Sequence, residues 1–488
     1  MIECYHMGTF LATYANRSIT PSQRVALFVE SEPRLTWTSL LADAHPEAEV
    51  YLVGGTVRDV LLGHTPNDID LVIRNLDTST LERFLQRQGA VTFVGERFGT
   101  FKFTPHGCRS TQPIDIALPR TESIGQQHNS GRKDLDIASN HLLTIGEDLS
   151  RRDFTINAIA YYLQSREIID PFHGLRDLDN QLIRSVLHPH ERFLEDATRM
   201  LRALRFASQL GFAIEGETWE AIQMNRTLLN NTTLTEEGTH VFTIHRSQVG
   251  KEFVLGFLAH PTHTLDLWLQ SGLLEQHFPD LFSLTTIIED DGQTAFEKTK
   301  RALHLLHSRD LLRTHHLQQA SPRTLIAALG LFLEDAQTRL FTVCKKLYFH
   351  QFAKTSVQSI DCGDISWMLY HLKDLETNDP ASMRPSAFER LFCSTRGQDL
   401  LLLMHVNYLV TGRHSIGRER LLQTLRISNN LCGNGRPKPL ISGKDLHAMD
   451  IKPGPLYREL LDVVRDAQLT GSVGSKEEAL AHVRRHVK

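Results

Sequence analysis

Tyr51–Asp70 reads YLVGGTVRDVLLGHTPNDID, and the order of elements inside it decides the fold. The run Glu49–Val53, EVYLV, is apolar and short, as a buried strand should be, and it stops at Gly54-Gly55. A helix is expected through VRDVLLG, broken at Gly63, followed by a second strand over Asp68–Ile73, DIDLVI. Side chains two apart on a strand share a face, so Asp68 and Asp70 should project together. Adjacent like charges call for a cation, and oxygen donors suit Mg²⁺. A DxD alone also occurs in solvated turns; here a glycine turn and a helix start lie close by. Both favour phosphate, because glycine backbone N–H groups approach it closely and the helix N-terminus carries a positive dipole.

Outward from this stretch, LERFLQRQGA has helical spacing and VTFVGERFGTFKFT reads as a hairpin. Ile114–Leu118, IDIAL, is a further strand that carries Asp115 between two isoleucines. A buried unpaired carboxylate is costly, so Asp115 is a third candidate for the site; an edge-strand aspartate facing water is the alternative. Three carboxylates beside a phosphate-binding turn suit two-metal phosphoryl transfer, with one ion at an attacking 3′-hydroxyl and one at the triphosphate. The mixed β/α region runs to about Arg184. After Pro189 the chain reads as helical almost throughout. There RFLEDATRMLRALRFASQLGF has apolar residues at helical spacing and an arginine at every third position from Arg199 to Arg205. Arg199, Arg202 and Arg205 interleave with Met200, Leu201 and Leu204, which look like core, so the stripe also reads as a solvated basic face. The stretch ISNNLCGNGRPKPL (Ile427–Leu440), at about residues 426–439, reads as a loop.

The 488 residues call for two to four structural units, and 41% hydrophobic with 23% charged residues is a globular composition. No apolar run reaches the roughly 18 residues of a membrane span, and no secretory signal is evident, so a cytoplasmic protein is expected. The six cysteines lack CxxC spacing, which favours reduced thiols over zinc or disulfide frameworks. A net charge of −4 disfavours non-specific coating of nucleic acid but leaves room for a local basic groove.

Four segments together resemble one family. Tyr51–Asp70 looks like the head motif of the class II tRNA nucleotidyltransferase and bacterial poly(A) polymerase superfamily. Arg151–Ala158, RRDFTINA, is similar to its second motif; Asp170–Arg184, DPFHGLRDLDNQLIR, to its third; Glu195–Phe206, EDATRMLRALRF, to its fourth. The resemblance implies an α+β chain: a nucleotidyltransferase (polymerase β-like) mixed-sheet head at 46–185, then an all-helical neck at 186–285, body at 286–425 and tail at 426–488. Residues 1–45 would be an extension.

It also implies roles. Asp68 and Asp70 would bind the catalytic Mg²⁺ with Asp115 nearby. Gly54, Gly55, Arg58 and Arg152 would serve the triphosphate of the incoming nucleotide. Asp196 and Arg199 would meet the base edge, supported by Arg202 and Arg205. An Asp and an Arg three apart on one helix face offer acceptor and donors in the pattern of a complementary base, so CTP or ATP could be selected without a template. The implied partners are CTP, ATP and the 3′ end and acceptor arm of tRNA, with no membrane.

Within the superfamily, VGERFGTFKF resembles the tRNA-enzyme version rather than the basic signature of the poly(A) polymerases, so CCA addition is expected. Arg120–Leu149 looks like the flexible loop tied to the switch from CTP to ATP, and it departs from the usual pattern. A poly(A) polymerase, an A-adding specialist and a catalytically silent RNA-binding protein are the alternatives. Pro439–Arg458 resembles the tail of many class II enzymes. His304, His307, His315 and His316 lack a His-Asp partner, so a fused phosphohydrolase is not expected.

Overall fold

In the computed structural model, the structure describes residues 19–94, 100–108, 112–124, 135–234, 238–308, 320–351, 360–412, 414–432 and 437–487. Two compact units follow one another, Met1–Glu252 and Phe253–Lys488.

The first unit is built on a seven-stranded sheet. Its strands are β1 (Glu49–Val53), β2 (Asp70–Arg74), β3 (Gly89–Val94), β4 (Thr100–Pro105), β5 (Ile114–Ala117), β8 (Ala160–Tyr162) and β9 (Glu167–Ile169). A separate hairpin pairs β6 (Arg120–Ile124) with β7 (Leu135–Ser139). The sheet order is β3-β4-β5-β2-β1-β8-β9, and only β2 and β5 pair in parallel. Residues 50–53 are all buried, which explains why β1 reads as an unbroken apolar run. The neighbouring strands alternate instead. On β4, Phe101 and Phe103 are buried and Lys102 is exposed; on β5, Ile114 and Ile116 are buried while Asp115 and Ala117 are half-buried. One face of the sheet is therefore core, and the other is left for polar side chains.

Six helices frame this sheet and its margins: α1 (Pro21–Ser31), α2 (Trp37–Ala44), α3 (Gly55–Leu61), α4 (Thr78–Gln88), α5 (Ile145–Ser150) and α6 (Gly174–Asp179). Local signals place several of them. Thr20 and Gln23 form a capping box on α1, as do Thr144 and Glu147 on α5, and the Asp77 carboxylate caps α4. The part of the N-terminal extension that is described packs onto the head: Trp37 is buried, with its ring 5.1 Å from that of Phe103.

Beyond the head, the arginine-rich stretch forms two helices rather than one, α7 (Pro189–Glu195) and α8 (Thr198–Leu210). The chain leaves helical geometry at Asp196 (φ −146°, ψ 97°), whose Oδ1 accepts from Thr198 N and Thr198 Oγ1. A short acidic side chain that bonds backbone two residues on competes with the helix ladder, and here it wins. Apolar periodicity runs on across such a break, so spacing does not reveal it. Short strands also interrupt the expected helical run, at Ala213–Ile214, Thr232–Leu234 and His240–Phe242.

The second unit is helical. Phe253 sits at the centre of an aromatic cluster, with ring centroids 5.1 Å from Trp268, 4.3 Å from Phe278 and 5.8 Å from Phe349. Residues 426–432 continue the helix His414–Cys432 instead of forming the expected loop, because no glycine or proline falls within them and the first breaker is Gly433. Near the C-terminus, Leu446, Leu460, Val464, Ala479 and Val483 share a core. Arg465 is paired there with buried Glu389, Nε to Oε2 at 2.8 Å. The thiols of Cys108, Cys344 and Cys362 are free, whereas Cys393 is disulfide-bonded, contrary to the expectation of reduced cysteines throughout. The lack of CxxC spacing reports only on local pairs and is blind to long-range closure. No helix among the described residues is long and apolar enough to cross a membrane.

Candidate active site

A cavity of about 640 Å³ opens in the first unit, lined by residues from all of its chemistry-bearing segments. Its floor begins where β1 ends. Gly54 has φ +66° and ψ −132°, a backbone state that side-chain-bearing residues rarely adopt, and a Cβ there would lie 2.5 Å from Arg152 Nη1. The turn therefore needs glycine both for its conformation and for the arginine that crosses it. Gly55 opens α3 and lines the cavity.

Thr56, one residue further, ties this helix to the acidic motif: its hydroxyl donates to Asp68 O (3.1 Å) and accepts from Asp70 N (2.9 Å). Asp68 stands just before β2 and is exposed; Asp70 is the first residue of β2; Ile69 between them is fully buried. Only Asp70 thus lies within the strand, but both carboxylates line the same cavity as Gly55. The parallel pairing of β2 with β5 sets Asp70 directly beside Asp115, and Asp115 is the register partner of Lys102 on β4. Lys102 Nζ reaches Asp115 Oδ1 at 2.7 Å.

Burial pushes the Asp70 carboxyl up to about 6; the Arg152 charge pulls it down, and Asp115 and Asp68 push it further up. A cluster of like charges of this kind favours a cation. Among the described residues, no three acidic, histidine or cysteine side chains make a closed metal cage. An exposed and a half-buried carboxylate on one open cavity, Asp68 and Asp70, nonetheless fit Mg²⁺, which keeps several waters and takes its remaining oxygens from substrate phosphates.

The cavity is also lined by a set of arginines, each held by a named partner. Arg58, on α3, donates to Asn157 Oδ1 at 2.7 Å and to Asp59 Oδ1 at 2.8 Å. Arg151 and Arg152 both bond the buried Asp148 carboxylate. Arg202 reaches Asp153 Oδ2 (2.8 Å), and the other Asp153 oxygen accepts from Asn157 Nδ2 and Phe154 N. Asp153 is buried, but Arg202 and these two donors outweigh the cost of burial and hold its carboxyl far below the usual range. Arg205 Nε lies 2.6 Å from Glu252 Oε2. Arg58, Arg202 and Arg205 all lie against the Phe206 ring, at 5.1, 5.3 and 4.2 Å from its centroid.

Asp196 and Arg199 reach the cavity differently from the single helix face expected for them. Asp196 sits in the break between α7 and α8. Arg199, on α8, is almost fully buried and donates to Arg192 O (2.9 Å), Arg151 O (3.1 Å) and Glu195 Oε2 (2.7 Å). Both still line the cavity, as do Asp68, Asp70, Asp115, Gly55, Arg58, Arg152, Arg202 and Arg205; Gly54 shapes the floor without lining it.

Sequence reading passed over Thr100, Arg120 and Phe206 on the lining, and the partners Asp148 and Glu252 behind it. Phe206 ends the fourth motif and was given no role of its own; Asp148 falls in the stretch read as a flexible loop, and Glu252 in no motif. The hairpin tip at 95–99, the middle third of the loop tied to nucleotide switching (125–134), and His315 and His316 lie outside the described residues.

Residues 50–184 match the profile of the poly(A) polymerase head domain. A CCA-adding enzyme of Lactobacillus helveticus is 34% identical over 274 residues, 56% of this chain and 61% of that protein. One from Ligilactobacillus salivarius is 41% identical over 181 residues, 37% and 41% of the two chains. The chain thus covers less than two thirds of either relative's length. A CCA-adding enzyme of Levilactobacillus brevis matches over 433 residues, 88% of this chain and 92% of its own, at 27% identity. In fold, the chain resembles the Thermotoga maritima CCA-adding enzyme complexed with tRNA, with a TM-score of 0.58 at 22% identity over 95% of this chain and 98% of that one. It also resembles the Bacillus stearothermophilus CCA-adding enzyme in complex with CTP, with a TM-score of 0.59 at 23% identity over 96% and 98%.

Proposed function

We propose that this chain is a member of the superfamily of class II CCA-adding nucleotidyltransferases and poly(A) polymerases, and that it adds C, C and A to tRNA 3′ ends from CTP and ATP. The observation that carries the reading is one cavity lined together by Asp68, Asp70 and Asp115, by Gly55 and by Arg58, Arg152, Arg199, Arg202 and Arg205.

Asp68 and Asp70 hold the divalent cation, Mg²⁺ in this reading, with Asp115 beside them. When bound, such ions activate the RNA 3′-hydroxyl and neutralise the pyrophosphate that leaves. The protein's own side chains do the rest. Arg58 and Arg152 converge on the triphosphate from either side of the Gly54-Gly55 turn, with Arg202 and Arg205 behind them. Guanidinium groups fixed by Asp148, Asp153 and Glu252 need little reordering when phosphate arrives, which favours binding and electrostatic stabilisation alike. Asp196 supplies an acceptor to the base edge. Arg199, pinned by two backbone carbonyls and Glu195, supplies pre-set donors beside it. The helical segments after the head are the neck, body and tail that grip the acceptor arm through phosphate contacts. A cytoplasmic location goes with these substrates.

Incubation with tRNA that ends before the CCA tests the whole assignment. CTP alone should add two residues, ATP alone none, and the two together three. Long A tracts would instead identify a poly(A) polymerase; a single A on a tRNA already ending in CC, with no use of CTP, would identify an A-adding specialist. RNA binding without any incorporation across a range of Mg²⁺ would leave only a binding protein. For the base edge, Asp196→Ala should lower the preference for CTP and ATP over UTP and GTP by about tenfold or more, the worth of one lost hydrogen bond to a charged group. Unchanged selectivity among the four nucleotides would remove Asp196 from this role.

A further inference from the structure

Arg151 and Arg152 are consecutive, yet both turn onto one carboxylate. Asp148, in the last turn of α5, has 0% of its surface exposed. Its Oδ1 accepts from Arg151 Nε at 2.9 Å and Nη2 at 2.7 Å, and its Oδ2 accepts from Arg152 Nη2 at 3.2 Å. A carboxylate buried alone would be strongly destabilising. Burial does push this one up, but the two guanidinium charges outweigh it and hold the group below the usual range.

The path of Arg152 beyond that contact matters more. Its guanidinium crosses directly over Gly54, in the space a Cβ would fill, and Nη1 points to Asn157 O at 3.5 Å. From there it exerts the largest of the charge effects felt by Asp70. The backbone from which it springs is held too: Arg192 Nη2 donates to Arg151 O (2.6 Å) and Arg152 O (3.1 Å), and Arg199 Nη2 donates to Arg151 O. With the main chain clamped and the floor cleared by glycine, the side-chain direction is set by the charged Asp148 contact and the longer one to Asn157 O.

We propose that Asp148 is a positioning residue of the nucleotide site: it touches no nucleotide but aims Arg152 across the Gly54 turn at the triphosphate. This rests on the reading of Arg152 as a nucleotide ligand, and the test separates the two. CTP dissociation constants are measured by calorimetry on the full-length protein, with KM and kcat on tRNA lacking CCA, for D148N, R152A and the double variant. D148N should raise both the Kd and the KM for CTP about tenfold, with kcat changed by less than about threefold. R152A should raise them at least as much, and the double variant should be no worse than R152A alone, because Asp148 acts through that one side chain. If R152A weakens CTP binding and D148N does not, the proposal falls and the nucleotide reading stands. If R152A itself leaves CTP binding unchanged, that reading falls and takes the proposal with it. Losses that add in the double variant also overturn it. Should D148N melt below the assay temperature, D148E keeps the charge but displaces it by one methylene; a raised Kd is then expected, and a wild-type Kd in folded D148E refutes the proposal.

Discussion

Asp70→Asn is expected to lower nucleotide incorporation by about three orders of magnitude or more, equivalent to ~4 kcal/mol in the barrier, and at the same time to raise the melting temperature of the metal-free protein. The two effects have one origin. Asp70 lines the cavity beside Asp68 and Asp115, and burial pushes its carboxyl up to about 6, above the usual range. A folded-state value above the unfolded one means that ionisation opposes folding. The penalty is absent below pH ~4, grows as pH rises toward about 6, and is complete above that. Two units would correspond to ~2.7 kcal/mol; partial exposure reduces this to on the order of 1–2 kcal/mol, a rise of about 3–6 °C at pH 8. The advantage of the variant should shrink toward pH 4, where the wild-type carboxyl protonates. Adding Mg²⁺ should raise the melting temperature of the wild type and not of the variant, since only the wild type keeps the paired site. Near-normal incorporation by Asp70→Asn would remove the carboxylate from the metal site.

Gly54→Ala should combine a loss of nucleotide binding with a loss of stability. At φ +66° and ψ −132° any L side chain is strained by about 1–3 kcal/mol. The new methyl would also occupy the place of Arg152 Nη1, 2.5 Å away. The guanidinium would have to leave its contacts with Asp148 and Asn157 O, so the KM for CTP and ATP should rise about tenfold or more. Gly55→Ala is the control for stability, because its backbone is ordinary and a methyl there meets nothing nearer than Arg58 Nη2 at 3.6 Å. Equal losses of melting temperature in the two variants would contradict the account of the turn.

The chemistry of the site was legible in the primary structure because it is concentrated in short, contiguous segments. Asp68 with Asp70, the glycine pair, RRDF and the arginines at every third position are local patterns, and ten of the eleven residues singled out from them line one cavity. What local spacing misjudged was geometry. Asp196 breaks the helix that periodicity joined, so Asp196 and Arg199 approach the site from two elements rather than from one face. Asp148 and Glu252 were overlooked because an acid outside the motifs looks like a solvated one until the arginines it meets are known.

By itself, then, the order of residues determined the alternation of strands and helices in the head, the glycine turn and the supply of acids and arginines, since each depends on neighbours within a few positions. Tertiary structure alone decided that Asp115 stands beside Asp70, 45 positions earlier, through the single parallel pairing in the sheet. It alone decided which buried carboxylate holds which guanidinium. Those choices depend on which chain segments exclude water together, and a buried charge takes whatever counter-charge the fold brings within reach.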